Sequence, residues 1–528
     1  MLLLSVLTVA LTLTADAFYL DSIIPPGVVV PAVAATPPPT VNYFLRDFNV
    51  TSNTTITPTS TSTPPLPSFL HGMTHYRLLP ASFPGKMAYH FDGLATVLKF
   101  TVGNDGKKMS YRSKEFSSSA AVDYKKCIFY GTGTGPTLGT HICFTNPGVN
   151  LLPIEGQLWL TIDTSKWGRV DPDTLETVAN ASVKVTNSLV LNAHPACDRI
   201  ANVCYVQYPC PHSASPISKD ICFATLQPGA TDMETVEVGR ATMKKNKIIQ
   251  HSHSPCLTEN YVVSKVDAFV PRNPLNKNGG LLKFLHQGED SLWFVIDRRT
   301  NETKLIEGDV SFVNNHFWNC YENDQGAVVI EAVAATEDYL DTYFGRNLAK
   351  SHPEWNEIFH SPLRCHLSWE NATVVCAPFL TQKQEQKEED ILDPASTLFD
   401  YPTFNPHFKT KSYQYFYAIG IQSNTSAWFD RLVKVDVHND TIVRSWSAPN
   451  IYLTEFDFVP ATNKTTPEDE DDGVLISVIY NATSDKSSFA IFNATTLRPM
   501  AMYPLEHAVP FHAHGIVCKK GIPCFTNP

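Results

Sequence analysis

The chain has 528 residues, 43% of them hydrophobic, and a formal net charge of −11 at pH 7. This length can bury a large core in one domain or in several. The acidic balance argues against the basic face that a nucleic-acid partner would need. Only 18% of residues are charged, whereas 30 Phe and 20 Tyr indicate β-structure with apolar pocket surface. The composition is typical of an ordinary soluble enzyme.

The N-terminus has the pattern of a secretory signal peptide. An apolar run from Leu2 to Leu13 leads to Ala15-Asp-Ala, a small-x-small cleavage pattern, although no basic residue precedes the run. The run is too short to span a bilayer. We therefore expect residues 1–17 to be a signal peptide and the protein to be secreted or to lie in the secretory-pathway lumen. The alternative is a buried N-terminus.

Sequons and cysteines agree with secretion. Asn-x-Ser/Thr acceptor sites for glycans occur at Asn49, Asn53, Asn180, Asn301, Asn371, Asn424, Asn439, Asn463, Asn481 and Asn493. The twelve cysteines are an even number, which alone is a weak sign of disulfides. Local spacings allow three pairs, Cys197 with Cys204, Cys365 with Cys376, and Cys518 with Cys524. The full connectivity stays open.

The composition divides the mature chain into two parts. Residues 18–66 are rich in Pro, Thr, Ser and Ala, which predicts an extended, partly glycosylated segment instead of packed structure. Residues 67–528 are predicted to form the globular part. Within it, Ala335 to Phe359 has helical periodicity and could cap one end of the fold. Residues 381–391 are predicted to be a polar surface loop or helix.

A repeated pattern of short strands around a polar turn dominates the globular part. Each copy has an Asp or Asn after an aliphatic strand, then a turn with Thr, then a second strand. The copies start at Arg169, Phe294, Leu432 and Ala490. Hairpins repeated over so many residues favour an all-β fold of the β-propeller type, because each propeller blade is a small antiparallel sheet.

Four histidines with distinctive neighbours are the candidate metal ligands. They lie in Asn-Ala-His194-Pro, His253-Ser-Pro-Cys-Leu-Thr-Glu-Asn-Tyr, Asn-Asn-His316-Phe-Trp-Asn and His-Ala-His514-Gly. Neutral imidazoles that converge on one point bind iron, copper or zinc when no thiolate takes part. On a strand His251 and His512 would share a face with His253 and His514, and they are the competing candidates.

The four contexts together resemble the carotenoid cleavage oxygenases, a family that includes β-carotene dioxygenases and a retinoid isomerohydrolase. The resemblance covers most of residues 70–528. It also includes Phe91-Asp-Gly-Leu-Ala, Tyr111-Arg-Ser and Glu470-Asp-Asp-Gly-Val-Leu-Ile-Ser. The resemblance implies a seven-bladed β-propeller with a helical cap over an Fe(II) ion, which His194, His253, His316 and His514 would hold on the propeller axis.

The resemblance further implies carboxylates behind three of the histidines. By motif these are Asp163, Asp400 and Glu455, where the family uses glutamate throughout. A metal-bound imidazole usually donates its other N–H to such a group. Because aspartate is shorter by roughly 1.5 Å, direct hydrogen bonds from Asp163 and Asp400 are expected to need a backbone shift or a bridging water. Loss of such contacts costs about 10- to 100-fold in affinity or activity.

Other motifs give weaker indications. Gly131-Thr-Gly-Thr-Gly lacks the register of a phosphate-binding loop, and neither His-Glu-x-x-His nor Gly-x-Ser-x-Gly occurs. Cys256 and Cys320 lie near His253 and His316, and they are more simply buried thiols or disulfide halves than metal ligands. No residue beyond the metal site is assigned a catalytic role.

The sequence therefore predicts an Fe(II)-dependent dioxygenase that uses O2 to cleave a conjugated C=C bond of a carotenoid or apocarotenoid, giving aldehydes such as retinal. The substrate would enter an apolar tunnel, and its mouth could make peripheral contact with a membrane. Two alternatives stay open: a carotenoid- or retinoid-binding protein of the same fold with little turnover, and an O2-independent retinyl ester isomerohydrolase.

Overall fold

The computed structural model describes most residues between 43 and 526. The longest stretches outside the described residues are 1–42, 82–89, 119–126, 129–140, 272–281, 336–361 and 381–397. The chain divides into two compact units, 1–37 and 38–528, and all of the described residues belong to the second. The predicted signal peptide, the glycine-rich loop, the polar segment 381–391 and nearly all of the predicted cap helix lie outside the described residues.

The described residues within 38–528 form an all-β unit. In chain order its first strands are β1 (Thr54–Ile56), β2 (Thr74–Pro80), β3 (Ala95–Val102), β4 (Met109–Glu115), β5 (Cys127–Ile128), β6 (His141–Ile142), β7 (Asn150–Ile154), β8 (Gln157–Thr161), β9 (Lys166–Val170) and β10 (Thr177–Ser182). The next are β11 (Ala196–Asp198), β12 (Val203–His212), β13 (Ser215–Pro228), β14 (Met233–Thr242), β15 (Ile249–His251), β16 (Cys256–Leu257), β17 (Tyr261–Pro271), β18 (Leu282–Phe284), β19 (Ser291–Asp297) and β20 (Thr303–Gly308).

The remaining strands follow in the same order. They are β21 (Val313–Glu322), β22 (Val328–Ala335), β23 (Leu363–Ser368), β24 (Thr373–Pro378), β25 (Phe399–Thr403), β26 (Tyr415–Gly420), β27 (Arg431–Asp436), β28 (Thr441–Trp446), β29 (Ile451–Tyr452), β30 (Asp457–Pro460), β31 (Gly473–Asn481), β32 (Lys486–Asn493), β33 (Pro499–Pro504), β34 (Gly515–Lys519) and β35 (Ile522–Thr526). Short 3-10 helices cover Ser68–Leu70, Pro406–Phe408 and Pro467–Asp469.

The strands pair mostly with their sequence neighbours, as in a β-propeller. Separate sheets have the orders β10-β9-β8-β7, β11-β12-β13-β14, β25-β26-β27-β28 and β29-β31-β32-β33. Strand β34 pairs with β2, so the end of the chain completes the sheet that its beginning starts. A ten-stranded sheet joins β17-β19-β20 to the series β21 to β24 through one parallel pair, Gly308 with Val374. The all-β, propeller-like prediction is confirmed, whereas the blade number and the helical cap stay predictions.

The predicted hairpin pattern is confirmed at all four places. The pairs are β9 with β10, β19 with β20, β27 with β28, and β32 with β33. The Asp or Asn after the first strand accepts backbone N–H groups of the turn, as Asp436 does from His438 and Asn439. One residue of each turn has a positive φ: Leu175, Asn301, Asp440 and Leu497. Side-chain acceptors therefore fix these tight turns.

Packed structure begins before residue 67, which corrects the expected boundary. The Tyr43 side chain is fully buried and stacks on Tyr480 with ring centroids 3.9 Å apart. Strand β1 pairs with β4 at the edge of the first sheet, where β-branched residues such as Ile56 can bury one face. Composition alone misses this segment, because its few apolar residues lie among many polar ones.

The hydrophobic core consists of clusters between neighbouring sheets. Its largest fully buried side chains include Trp159, Trp167, Trp293, Trp318 and Trp428. Trp318, two residues after His316, packs on Phe416 and Phe399 with ring centroids 4.3 and 5.4 Å away. This packing fixes the strand that carries His316. Among the described residues no helix has the length and apolar character to cross a membrane.

Candidate metal centre

The structure brings the four predicted histidines together. One nitrogen from each of His194, His253, His316 and His514 lies within 4.8 Å of the corresponding nitrogen of the others. His316 lies within β21, and the other three lie just before β11, β16 and β34. The rings of His194 and His514 have centroids only 4.3 Å apart. Elements far apart in the sequence thus present four imidazoles to one point.

The predicted carboxylates lie directly behind three of these rings. Nδ1 of His253 is 2.9 Å from Oδ2 of Asp163, and Nδ1 of His316 is 3.0 Å from Oδ1 of Asp400. Oε2 of Glu455 accepts the backbone N–H of His514 and lies 3.4 Å from Nδ1 of that ring. Because the carboxylates engage Nδ1, Nε2 is the nitrogen left to face the centre.

Of the two alternatives expected for the shorter aspartates, a backbone shift or a bridging water, the bridging water is not needed, because both make direct hydrogen bonds. Asp163 also accepts the backbone N–H of Ala193, which ties it to the segment of the first histidine. At Asp400 the β25–β26 register is irregular, and the next residue, Tyr401, has a φ of 55°. The Asp400 carboxylate accepts the Tyr401 N–H at 2.7 Å as well. The irregular backbone around Asp400 thus coincides with the direct contact between its short side chain and His316.

His194 differs from the other three ligand candidates. No carboxylate among the described residues bonds to its ring, and its buried Nε2 makes no hydrogen bond there. Its backbone N–H donates to the carbonyl of His253. Burial, followed by the neighbouring histidines, holds the pKa of His194 well below its ordinary value, so the ring is neutral. A buried neutral imidazole with an unpaired nitrogen is suited to a metal ligand.

At His253 and His514, burial and the neighbouring carboxylate shift the pKa of the ring in opposite directions. Burial lowers the pKa of His253, but the Asp163 charge and hydrogen bond outweigh it, and the pKa lies above the ordinary value. Burial also lowers the pKa of His514, and here it outweighs Glu455. The cluster therefore combines neutral donors with nearby negative charge, which favours a bound cation.

A second buried network behind Glu455 was not predicted. Oδ2 of Asp457 accepts hydrogen bonds at 2.7 Å from Nη1 of Arg77 and is 2.7 Å from Nε2 of His75. Nη2 of Arg77 lies 3.6 Å from Oε2 of Glu455. The feature of the sequence that could have pointed to this network is the two-residue spacing between Glu455 and Asp457. Arg77 balances two buried carboxylates and so positions the group behind His514.

Of the two competing histidines, His512 does not join the cluster. His512 is fully buried and its Nδ1 lies 2.7 Å from the carbonyl oxygen of Pro510, which occupies that nitrogen. The side chain of His251 lies outside the described residues. Aromatic rings border the cluster instead: Tyr401 lies 5.5 Å from His316 and 5.9 Å from His514, centroid to centroid, and Phe511 lies 5.9 Å from Tyr401.

Cys256 and Cys320 form a disulfide, which agrees with the simpler of their two interpretations. The bond joins the strand that follows His253 to the strand that contains His316, with Cα atoms 6.0 Å apart. The three pairs allowed by local spacing also form, as does Cys210 with Cys222. Among the five described disulfides, the Cys256–Cys320 bond is the one that fixes two histidine segments against each other.

Removal of this disulfide should weaken the metal centre as well as the fold. For the Cys256→Ser/Cys320→Ser double variant we expect a loss of about 2–4 kcal/mol in unfolding free energy, since the bond closes a long loop. We also expect weaker metal binding. The matched control, Cys365→Ser/Cys376→Ser, removes a bond between β23 and β24. Urea titration measures the unfolding free energy, and equilibrium dialysis measures the metal affinity. Equal metal affinity in the two double variants would contradict a link between the Cys256–Cys320 bond and the metal centre.

Comparison with known families identifies the chain. The family model described as retinal pigment epithelial membrane protein, RPE65, matches residues 48–517. The chain belongs to this RPE65/carotenoid oxygenase family. The resemblance drawn from the histidine contexts is therefore confirmed.

Individual members of the RPE65/carotenoid oxygenase family match at low identity over most of their length. Human β,β-carotene 15,15'-dioxygenase is 25% identical, with 81% of this chain and 85% of that protein covered. A rice chloroplastic carotenoid cleavage dioxygenase 8 homolog A is 26% identical, with 85% and 83% covered. The cobalt-substituted apocarotenoid oxygenase of Synechocystis superposes with a TM-score of 0.70 at 18% identity, with 90% of this chain and 98% of that chain covered. The latter similarity shows the shared fold.

Proposed function

We propose that the protein is an Fe(II)-dependent dioxygenase that cleaves a conjugated C=C bond of a carotenoid or apocarotenoid with O2, giving aldehydes such as retinal. The four-histidine cluster carries the proposal. Family membership supports it, since the similar human and rice proteins bear dioxygenase names.

The donor set fits ferrous iron. His194, His253, His316 and His514 offer four neutral imidazole nitrogens, and no thiolate lies among them because Cys256 and Cys320 are joined in a disulfide. Four such ligands leave positions open, and iron, when bound, would supply the redox chemistry that a reaction with O2 requires.

The protein's own residues would bind the substrate, orient the metal ligands and shield the site from water. Asp163 and Asp400 hold the Nδ1–H groups of two ligands, so that their Nε2 lone pairs face inward. Tyr401 and Phe511 form an aromatic wall that can stack on a flat polyene. Burial around this wall keeps water out of the reaction. No side chain needs to act as general acid or base.

We further propose that the ten-stranded sheet contains two blades, which gives seven in all, and that residues 335–359 form the helical cap. The parallel link between β20 and β24 at only one residue pair supports a division there. A contact between the tunnel mouth and a membrane surface belongs to the same proposal.

We also propose that the protein folds in the secretory pathway after removal of residues 1–17. Disulfides persist in oxidising compartments, and five are described. The sequon residues Asn53, Asn180, Asn301, Asn371 and Asn439 are exposed. N-terminal sequencing of the secreted protein, with and without glycosidase, tests this; a retained Met1 or unchanged mass would contradict it.

The reaction is tested on protein secreted from eukaryotic cells and loaded with Fe(II). With β-carotene or an apocarotenal under air, we expect loss of polyene absorbance and an aldehyde product that carries one oxygen atom from ¹⁸O2. Unchanged spectra despite bound iron would overturn the enzyme proposal in favour of a binding protein. Retinol release from retinyl ester without O2 would favour the isomerohydrolase.

A further inference from the structure

Glycosylation sequons recur at one structural position, the turn that leads into the outermost strand of a sheet. Four consecutive strand series share this feature: β16-β17-β19-β20, β21 to β24, β25 to β28 and β29-β31-β32-β33. Their sequons are Asn301-Glu-Thr, Asn371-Ala-Thr, Asn439-Asp-Thr and Asn493-Ala-Thr. The corresponding turns, residues 103–108, 171–176 and 229–232, contain none. The repeated sequon therefore belongs to one continuous part of the fold.

Three of these four turns present the acceptor asparagine to solvent. The exposed asparagines are Asn301, Asn371 and Asn439, whereas Asn493 is half-buried. In the three exposed sequons the threonine is the first residue of the outermost strand. Nδ2 of Asn439 donates one N–H to Asp436 at 2.9 Å, and an amide nitrogen has a second N–H that a sugar can replace. A glycan is bulky and hydrophilic, and these turns give it the surface position that it needs.

The three turns lie at the end of the sheets that is farther from the histidines. His316 lies in the first half of β21, and the carboxylate behind it, Asp400, lies near the beginning of β25. Along antiparallel neighbours the third strand runs in the same direction as the first, so it ends at the far end. Asp400 pairs with Ile419, and Ile419 pairs with Leu432 at the start of β27. Because a strand rises about 3.3 Å per residue, the end of β27 at Asp436 lies roughly 13 Å farther along the sheet.

We propose that the protein carries N-glycans at Asn301, Asn371 and Asn439, and that they cover this end of the protein, called here the glycan end. The inference rests on the proposed folding in the secretory pathway. There an oligosaccharide linked to a lipid pyrophosphate is the donor. The asparagine amide nitrogen bonds to the anomeric carbon and loses one proton, while the carbon–oxygen bond breaks and the lipid pyrophosphate leaves with the electron pair.

The position of these glycans restricts how the protein meets a membrane. Three bulky hydrophilic groups on consecutive sheets keep a lipid surface or a protein partner away from the glycan end. A membrane contact of the proposed kind is therefore confined to the opposite end, where the strands that present the histidines begin. The glycans thus give the molecule a solvent side and a docking side.

Glycopeptide mapping of the wild-type protein secreted from eukaryotic cells tests the three sites. We expect a glycan at each of Asn301, Asn371 and Asn439. Glycans at the exposed sequons Asn53 or Asn180 with none at these three would overturn the inference and leave the secretory proposal intact. A protein without any glycan that retains its first 17 residues would overturn both.

A pair of variants at one threonine provides the matched control. Thr441→Ala destroys the sequon of Asn439 without changing that asparagine, and should lose its glycopeptide completely. Thr441→Ser keeps an acceptor sequence and should keep the glycan. Loss of the glycopeptide in neither variant would show that the assignment to Asn439 is wrong. The wild-type map decides the question even if the alanine variant fails to fold.

Labelling of carboxyl groups with a carbodiimide and an amine measures the shielding. Glu302 and Glu370 are exposed and adjoin two of the sequons, whereas Glu506 is exposed in the segment that leads to His514 at the opposite end. After the glycans are trimmed with an endoglycosidase, we expect stronger labelling of Glu302 and Glu370 and unchanged labelling of Glu506. Equal labelling of all three before and after trimming would overturn the proposal that glycans cover this end.

Discussion

The His316→Ala variant should be purified with less than about one tenth of the wild-type iron and should lose at least about 100-fold in carotenoid cleavage. The imidazole is one of four metal-binding groups, and its loss removes a ligand and leaves the buried Asp400 carboxylate without the ring it contacts. We therefore also expect a stability cost of about 1–3 kcal/mol. Iron is measured by mass spectrometry of the purified protein, and activity by product analysis.

An exposed histidine supplies the control for this experiment. His507 lies in the same final part of the chain as His514, but at the surface. The His507→Ala variant should match the wild type in iron content, rate and unfolding free energy. If His316→Ala kept its iron, or if both variants lost activity equally, His316 would not be a metal ligand.

Replacement of Asp400 by Asn should lower metal affinity by about 10- to 100-fold although the side chain keeps its size. Asp400 is fully buried and faces Nδ1 of His316. A carboxylate can only accept a hydrogen bond, so it fixes the proton on Nδ1, whereas an amide can donate and reverse the tautomer. Nε2 would then carry the proton and offer no lone pair. Titration of the metal-free variant with Fe(II) under anaerobic conditions measures the effect.

The matched control is Asp436→Asn, the same isosteric change at a buried aspartate of the same sheet. Asp436 accepts backbone N–H groups of a turn and touches no histidine of the cluster. Its variant should lose stability and keep its metal affinity. Equal affinities for the Asp400 and Asp436 variants would show that the carboxylate behind His316 does not orient the ring.

The ligand candidates could be predicted from the sequence because each histidine lies in a motif of its own. The same holds for Asp163, Asp400 and Glu455, which the structure places behind three of the rings. The hairpins were predictable because an Asp or Asn after an aliphatic strand has a local physical role in the turn. Local signals of this kind can be recognised in a single sequence.

Long-range geometry could not be predicted in the same way. The direct reach of Asp400 accompanies an irregular register and the positive φ of Tyr401, and side-chain length gives no sign of either. The Cys256–Cys320 bond joins residues 64 apart, a separation that no spacing rule covers.

An anomalous difference map at the iron absorption edge, from crystals of the anaerobically loaded protein, tests the central claim most directly. Convergence of His194, His253, His316 and His514 predicts a single strong peak within coordination distance of all four imidazoles. A peak bound by fewer than three of these rings, or located elsewhere on the protein, would contradict it.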